Sequence, residues 1–423
     1  MKILRKVKKA VFKFKPFSKK QLKVLTWWIP ESPVYDKDGI IADGAIRSGK
    51  TLSMSLSFVM WAMETFDQQN FGMCGKTIGS FRRNVLFLLK LMLRSRGYKV
   101  KDLRADNLVI VSRGDTVNYF YIFGGKDERS QDLIQGITLA GVFFDEVALM
   151  PESFVNQATG RCSVDGSKFW FNCNPDGPYH WFKVNWIDKI VEKNLIYLHF
   201  TMDDNLSLSE KIKERYRNMY SGVFYQRYIL GLWVVAEGII YDMFDKVRHV
   251  VESIHRVYTD YYVAVDYGTQ NATVFGLFGR YKGKWYLIKE YYHSGRDEGQ
   301  KTDGEYADDM EKFIEGINVT QIIMDPSAAS FKVELKKRGI ATKNANNDVL
   351  NGIRFTGTLL NSELLLICEN CDRSINEFYT YRWDDKATKR GEDKPLKEND
   401  HCMDMIRYFA YTIARKYYKF YTR

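Results

Sequence analysis

The sequence lacks several features that would define broad classes of protein. No apolar run reaches the roughly 18 residues that a membrane-spanning helix needs, so we expect no association with a membrane. The six cysteines are scattered and include one C-x-x-C pair, Cys368 and Cys371, without the second pair of a zinc ribbon. We expect reduced thiols in a cytosolic protein, and a zinc site completed by His401 and Cys402 is an alternative. A fixed-period repeat and low-complexity tracts are also missing, which excludes a solenoid.

Acidic residues are in the minority, with 52 Asp and Glu against 63 Lys and Arg, which gives a formal net charge of +11. This balance favours a polyanionic partner, and nucleic acid is the obvious candidate. The first 20 residues are strongly basic and have no continuous apolar segment, so we expect a flexible cationic arm rather than a secretory signal. The basic residues of this arm are Lys2, Arg5, Lys6, Lys8, Lys9, Lys13, Lys15, Lys19 and Lys20.

Residues 44–51 fit the phosphate-binding pattern G-x-x-x-x-G-K-[ST] at every fixed position, and an apolar strand ends at Asp145 and Glu146. These residue types supply what ATP hydrolysis needs: a backbone cradle, an ammonium for the β- and γ-phosphates, ligands for Mg²⁺ and a general base. The sequence therefore predicts ATP with Mg²⁺ as the bound nucleotide. Gly44 and Gly49 would form the backbone cradle, and Lys50 would supply the ammonium. Thr51 and Asp145 would bind Mg²⁺, and Glu146 would be the general base. Without the glycine loop, the two acids would indicate only the start of a helix.

Three more residues are candidates for the nucleotide site, each with a structural alternative. Arg47 lies inside the phosphate loop and could stabilise charge on the γ-phosphate as an arginine finger in cis, or form a structural salt bridge. Gln21 could read the adenine edge, or be a surface residue of the first helix. Asn174 follows another apolar strand and could sense the γ-phosphate, or belong to a polar turn forced by Pro175.

The chain divides into two halves with different patterns. Residues 1–231 alternate apolar strands with helices and predict an α/β nucleotide-binding domain. Residues 232–256 are expected to form a junction. Residues 257–423 begin with three hairpin strands and continue with alternating helix and strand, an order that predicts an RNase H-like fold.

Acids follow strands of this second half. Asp266 closes its first strand, Asp325 closes its fourth, and His401 and Asp404 lie three residues apart on one face of the final predicted helix. Oxygen ligands suit Mg²⁺, and the histidine favours Mn²⁺, so these residues predict a two-metal site for phosphodiester cleavage. Each acid alone could instead cap a helix or turn, as we expect for Asp348.

The ordered set of motifs resembles the large subunit of tailed-bacteriophage terminases, of the type in headful-packaging phages and Bacillus prophages. The resemblance covers nearly the full length. It rests on residues 44–51, 145–146, 172–175, 231–238, 265–268, 324–327 and 399–404. It implies an α/β chain with an N-terminal RecA-like (ASCE) P-loop ATPase domain and a C-terminal RNase H-like nuclease domain. The family's metal ligands carry over onto Asp266, Asp325 and Asp404, with His401 alongside.

The resemblance also implies a function. ATP hydrolysis would drive double-stranded DNA into a procapsid, and an endonuclease with two Mg²⁺ or Mn²⁺ ions would cut concatemeric DNA to start and end packaging. The implied partners are the portal protein and the terminase small subunit. The chain would be a monomer alone and a ring on the portal, in the cytoplasm of the bacterial host.

Two other interpretations stay open at this point. One is a helicase or transposition enzyme that carries an RNase H-like module. The other is a switch protein that binds nucleotide only to present a DNA-binding scaffold.

Overall fold

The computed structural model describes residues 12–268, 271–296 and 298–418. Residues 1–11, which carry most of the expected cationic arm, lie outside the described part of the chain, so that expectation stays a prediction. None of the helices in the described ranges is both long and apolar enough to cross a membrane.

The chain forms two compact units. Unit 1 comprises Met1–Glu214 and Gln226–Val234, and unit 2 comprises Arg215–Tyr225 and Val235–Arg423. Most of the expected junction, residues 235–256, groups with unit 2 by its contacts.

Unit 1 is built on an eight-stranded sheet, counted over its described residues. The strands are β1 Gly39–Gly44, β2 Asn70–Gly75, β3 Lys99–Leu103, β4 Leu108–Arg113, β5 Thr116–Gly124, β6 Gly141–Asp145, β7 Lys168–Asn172 and β8 Leu195–Phe200. The helices up to the end of this unit are α1 Lys19–Thr26, α2 Lys50–Thr65, α3 Ile78–Phe81, α4 Phe87–Ser95, α5 Glu152–Gly160, α6 Glu210–Arg217 and α7 Gly222–Tyr228, of which the last two include residues of both units.

The strand order is β3-β4-β5-β2-β6-β7-β1-β8. The strands from β5 to β8 in this order are parallel, and β3 and β4 are antiparallel additions at one edge. Strand β1, which precedes the phosphate loop, lies between β7 and β8 in the core order β2-β6-β7-β1-β8, as in RecA-like ATPases. Because neighbouring parallel strands end at one edge, the residues that follow β1, β6 and β7 lie close together.

Strand β6 shows why this sheet is covered on both faces. All five of its residues are buried. Successive side chains of a strand point to opposite faces. Phe143 accordingly packs in one hydrophobic cluster, while Val142 and Phe144 pack in the other. The continuous apolar run in the sequence therefore corresponds to a strand with helices on both sides.

Unit 2 is built on a seven-stranded sheet in the described ranges, with the order β14-β13-β10-β11-β12-β15-β9. The strands are β9 Val250–Val251, β10 Tyr261–Asp266, β11 Ala272–Tyr281, β12 Lys284–Ser294, β13 Gln321–Met324, β14 Thr342–Asn344 and β15 Leu365–Cys368. The helices are α8 Lys246–His249, α9 Asp303–Ile314, α10 Ala329–Lys337, α11 Val349–Asn361, α12 Asp372–Thr380, α13 Asp385–Lys389, α14 His401–Phe409 and α15 Arg415–Tyr418.

Strands β10, β11 and β12 form the expected antiparallel meander, and β13 adds parallel to β10. This is the RNase H-like arrangement. Strand β10 has cores on both sides, since Val263 and Val265 pack in one cluster and Tyr262 and Ala264 in the other. Helix α14 contacts β10, β11 and β13, which brings its first residues to the end of β10.

Candidate functional site

The phosphate loop of unit 1 connects strand β1 directly to helix α2. Its backbone has positive φ angles at Gly44 (118°), Arg47 (57°) and Gly49 (85°). A Cβ atom on Gly44 would lie 2.0 Å from the carbonyl oxygen of Phe200, and one on Gly49 would lie 2.3 Å from Nε2 of Gln21. Both glycines are therefore required by the left-handed backbone and by the close packing around the loop.

Lys50 lies at the start of α2 and is 5% exposed. Its ammonium donates to the carbonyl oxygens of Gly44 (3.0 Å) and Ala45 (2.7 Å), to Oγ of Ser48 (3.1 Å) and to Oδ1 of Asn174 (3.2 Å). Burial lowers the pKa of Lys50 to about 8, so the side chain is still charged at neutral pH. The loop thus folds around a positive charge placed where a nucleotide phosphate could replace some of these oxygen atoms.

Thr51, Asp145 and Asn172 form a compact polar cluster beside the loop. Oγ1 of Thr51 donates to Oδ1 of Asp145 at 3.0 Å, and Nδ2 of Asn172 donates to the same oxygen at 2.5 Å and to Thr51 at 2.8 Å. Burial raises the pKa of Asp145 to about 7, and the neighbouring charge of Glu146 acts in the same direction.

The buried Oδ1 atom of Asn172 has no hydrogen-bond partner within the described chain. Asp145, Thr51 and Asn172 thus offer a carboxylate, a hydroxyl and an unused amide oxygen, which are hard ligands. A divalent cation would also offset the cost of burying the Asp145 charge. These residues fit Mg²⁺.

The structure also places the other candidates of unit 1. Glu146 follows Asp145 with a positive φ of 59° and is partly buried, whereas Arg47 is exposed at the tip of the loop. Gln21 is buried rather than on the surface. Its Oε1 accepts from the backbone of Ser18 at 3.0 Å to cap α1, and its Nε2 donates to the carbonyl oxygen of Gly49 at 3.5 Å. Gln21 therefore lies against the phosphate loop, with its amide already used.

In unit 2, Asp266 at the end of β10 meets the first turn of α14. Nδ1 of His401 lies 2.9 Å from Oδ2 of Asp266. Burial disfavours the charged form of His401, but the hydrogen bond and charge of Asp266 raise its pKa above the usual value. Asp266, His401 and Asp404 line a cleft of about 620 Å³, together with Arg296, Lys397 and Asp400.

Asp404 is bound by two cations. Its Oδ1 accepts from Nη2 (2.9 Å) and Nε (3.2 Å) of the buried Arg407, and its Oδ2 accepts from Nζ of Lys397 at 3.0 Å. Nη1 and Nη2 of Arg407 also donate to Oδ1 of Asn347, each at 3.2 Å. The charge of Asp404 is thus neutralised by protein groups.

Asp325 lies at the end of β13 and does not line this cleft. Its Oδ1 accepts from the backbone (2.6 Å) and hydroxyl (2.5 Å) of Ser327, and its Oδ2 accepts from Asn347 (2.9 Å) and Tyr408 (2.7 Å). Burial opposes ionisation of Asp325, but these hydrogen bonds lower its pKa below the usual value. Asn347 therefore bonds to Asp325 and, through Arg407, is linked to Asp404.

No group of three or more His, Cys, Asp or Glu side chains is arranged as a metal cage among the residues that the structure describes. The zinc site considered at the C-x-x-C pair therefore has no support. The acids of the cleft still have the oxygen donors that Mg²⁺ and Mn²⁺ prefer, and these donors currently bond to protein groups. These carboxylate oxygens fit a hard divalent ion once they exchange their hydrogen bonds to protein groups for bonds to the metal.

Comparisons with known proteins agree with this architecture. Residues 41–248 match the family model of the terminase large subunit, T4likevirus type, N-terminal part. A solved structure of the large terminase from a thermophilic bacteriophage is 65% identical, covers 95% of this chain and 100% of that chain, and superimposes with a TM-score of 0.90. The chain belongs to the bacteriophage large terminase family.

Two further comparisons add detail. The large terminase of the same thermophilic bacteriophage, solved in complex with ATP-gamma-S, is 63% identical, covers 94% of this chain and 100% of that chain, and has a TM-score of 0.86. The large terminase subunit of Escherichia phage T5 is 26% identical over 292 residues, and the match spans 65% of this chain and 65% of that curated relative.

The structure brings together most of the residues that the sequence singled out, and it adds partners that the sequence did not indicate. Asn172 was noted only as part of a motif, yet it bonds to both Thr51 and Asp145. Arg407 lies three residues after Asp404 on α14, a helical spacing that could have predicted their ion pair. Asn347 and Lys397 had no such local pattern.

Proposed function

We propose that this chain is a viral DNA-packaging motor, with an ATPase in unit 1 and a metal-dependent endonuclease in unit 2. The main support is the arrangement of Lys50, Thr51 and Asp145 near the ends of the parallel strands, beside a phosphate loop that has no room for a Cβ atom at Gly44 and Gly49. The thermophilic-phage relative solved with ATP-gamma-S supports ATP as the substrate.

In the ATPase, Lys50 would exchange its loop carbonyl partners for phosphate oxygens. Thr51 and Asp145, oriented by Asn172, would hold Mg²⁺, which neutralises charge on the phosphates. Glu146 follows Asp145 directly and would accept a proton from the attacking water.

Arg47 is placed at the exposed tip of the loop, where a guanidinium could stabilise charge that develops on the γ-phosphate. Asn174 bonds to the Lys50 ammonium, so replacement of that bond by a phosphate would release Asn174. We propose this release as the γ-phosphate sensor. Gln21 would contact the adenine only if it gave up its bond to Gly49.

In the nuclease, Asp266 and Asp404 of the cleft, together with Asp325 at the end of the adjacent strand β13, would hold two Mg²⁺ or Mn²⁺ ions, with His401 alongside. Such ions activate water and stabilise the leaving 3′-oxygen. His401 holds Asp266, while Asn347 and Arg407 hold Asp325 and Asp404, so the chain itself fixes the directions of its acids.

The charge and the family of the chain both bear on its partners. The net charge of +11 suits double-stranded DNA held by its phosphates, and we expect that grip to depend on salt and little on base sequence. Following the family, we propose that the chain acts as a ring on the portal protein of the procapsid and receives DNA from a small terminase subunit.

The test is to remove each activity separately, by substitutions in one unit that leave the activity of the other unit intact. Lys50→Ala and Glu146→Ala should reduce ATP hydrolysis by roughly 100-fold or more and leave Mn²⁺-dependent plasmid nicking intact, because each removes a group specific to phosphoryl transfer. Asp266→Asn and Asp325→Asn should abolish nicking and preserve hydrolysis. Phosphate release and gel analysis of supercoiled plasmid measure the two activities.

Matched controls are Lys23→Ala and Asp372→Asn, which change exposed residues on α1 and α12. Both should keep both activities. Wild-type hydrolysis by Glu146→Ala would reject this residue as the base, and intact nicking by both Asp266→Asn and Asp325→Asn would reject the two-ion nuclease.

A further inference from the structure

Lys397 lies between two buried acids of the unit 2 cleft. Its ammonium donates to Oδ2 of Asp400 at 2.8 Å and to Oδ2 of Asp404 at 3.0 Å. Asp400 and Asp404 are 4% and 7% exposed, whereas the side chain of Lys397 is 62% exposed. The lysine therefore reaches from the surface into a site where two carboxylates lie close together.

Asp400 is available to this lysine because another acid has taken its structural role. Asp400 precedes helix α14 at the N-cap position, but its side chain makes no capping hydrogen bond. Instead, Oε2 of Glu377 accepts from the backbone N–H groups of Cys402 (2.7 Å) and Met403 (3.1 Å). Because Glu377 caps the helix, the carboxylate of Asp400 is directed to Lys397 and the cleft.

The two cations bound to Asp404 differ in how easily they can leave. Arg407 is 1% exposed, forms a forked contact with Oδ1 and is also held by Asn347, so it is a fixed counterion. Lys397 is a point charge on a flexible and mostly exposed stem, and such ion pairs contribute little net free energy. A divalent ion with twice the charge would compete with Lys397 and not with Arg407.

We propose that Lys397 is the exchangeable counterion of the nuclease cleft: together with Arg407 it balances the charges of Asp400 and Asp404 without metal, and it must leave Asp404 when a divalent ion binds there. This inference rests on the proposed nuclease function. It accounts for carboxylates that line a cleft without forming a metal cage in the described residues. The ion pair would offset negative charge in the cleft until a divalent ion binds, and it would make metal binding weaker.

The test compares Mn²⁺ binding to the full chain without DNA, measured by isothermal titration calorimetry. Lys397→Met keeps most of the stem and removes the charge, so it should bind Mn²⁺ about three- to tenfold more tightly than wild type at the cleft. Lys397→Gln should do the same, which gives a second measurement if the methionine variant folds poorly. Lys397→Arg keeps the charge and should bind as wild type.

Lys394→Met is the matched control, because Lys394 is in the same segment and pairs with Glu392, which does not line the cleft. It should have wild-type affinity. Binding at the cleft is defined as the part that Asp266→Asn removes. A second readout is the rise in melting temperature on adding Mn²⁺, which should be larger for Lys397→Met than for wild type.

The failures are distinguishable. Unchanged or weaker Mn²⁺ binding by Lys397→Met, with binding still lost in Asp266→Asn, overturns the counterion role and leaves the nuclease proposal intact. If neither wild type nor Lys397→Met shows binding that depends on Asp266, the metal-dependent nuclease and this inference are both rejected.

Discussion

The two candidate sites of this chain solve the problem of concentrated charge in different ways. In unit 1 the charged groups Lys50 and Asp145 are held by backbone oxygens, two hydroxyls and two side-chain amides, and the buried amide oxygen of Asn172 is unused. In unit 2, Asp404 is paired with the cations Arg407 and Lys397, and Asp266 lies beside His401, whereas Asp325 is held by neutral donors.

The difference follows from the kinds of charged and polar group that each site contains. A phosphate loop gathers backbone dipoles around a single lysine, so it can stay assembled without a ligand. A set of carboxylates repels itself, and in a partly buried cleft that repulsion needs counterions before any metal arrives. Lys50 of unit 1 would therefore exchange neutral oxygen partners for phosphate oxygens, whereas Asp404 of unit 2 would have to give up a cation of the chain.

The largest effect is expected from the fixed counterion of unit 2. Arg407→Leu should destabilise this unit by about 3 kcal/mol, because it leaves the largely buried Asp404 without its main partner. Urea unfolding followed by tryptophan fluorescence measures the change. Arg415→Leu, which removes an exposed arginine stacked on Tyr411, should cost roughly 0.5 kcal/mol or less. Equal urea midpoints for Arg407→Leu and Arg415→Leu would show that Asp404 does not need its counterion. The contrast between the two sites would then fail.

The next effect tests whether unit 1 depends on neutral donors. Asn172→Ala should lower ATP turnover roughly 10- to 100-fold, or about 1.4 to 2.7 kcal/mol, because Thr51 and Asp145 lose their shared donor. Phosphate release measures it. Asn156→Ala changes an exposed asparagine of α5 and serves as the control, with wild-type turnover expected. Normal turnover by Asn172→Ala would mean that Asp145 needs no orienting partner.

The smallest effect concerns Asp43, the fully buried acid before the phosphate loop. It lies 3.0 Å from Nδ1 of His199 and accepts from Nε1 of Trp233 at 2.7 Å. Trp233→Phe should therefore reduce stability by about 1 to 2 kcal/mol through the lost bond to a carboxylate. In the control Trp28→Phe, only a bond to the hydroxyl of Ser57 is lost. Thermal unfolding measures both variants, and Trp233→Phe should be the more destabilised of the two. An equal or larger loss of stability in Trp28→Phe would show that the charge of Asp43 is irrelevant.

Local patterns predicted the central elements well. The apolar run at 321–324 predicts a strand and corresponds to β13, and the helical periodicity of residues 51–66 predicts the helix that the structure places at Lys50–Thr65. The apolar run at 272–278 predicts the second meander strand, which continues to Tyr281 because its ladder with β12 extends to the turn. Its end is set by the partner strand and not by its own side chains. The expected helix cap at Asp348 is also confirmed, since its side chain accepts from the N–H of Asn351.

The candidate sites were predictable to different degrees for the same reason. The phosphate loop is one contiguous segment whose glycines, lysine and threonine have fixed spacing, so its chemistry can be read locally. Asp266 and His401 are 135 residues apart and meet only because α14 packs against β10. Asn347, between Asp325 and Arg407, had no local pattern that could reveal it.

The sequence by itself determined the kind of chemistry in each unit, because residue types and short spacings fix which atoms can bind a phosphate or a hard cation. Only the tertiary structure decided which partners those atoms have. Packing brings distant residues within hydrogen-bond distance, and burial makes each buried charge depend on the neighbours it acquires. The fixed role of Arg407 and the exposed position of Lys397 are consequences of that packing.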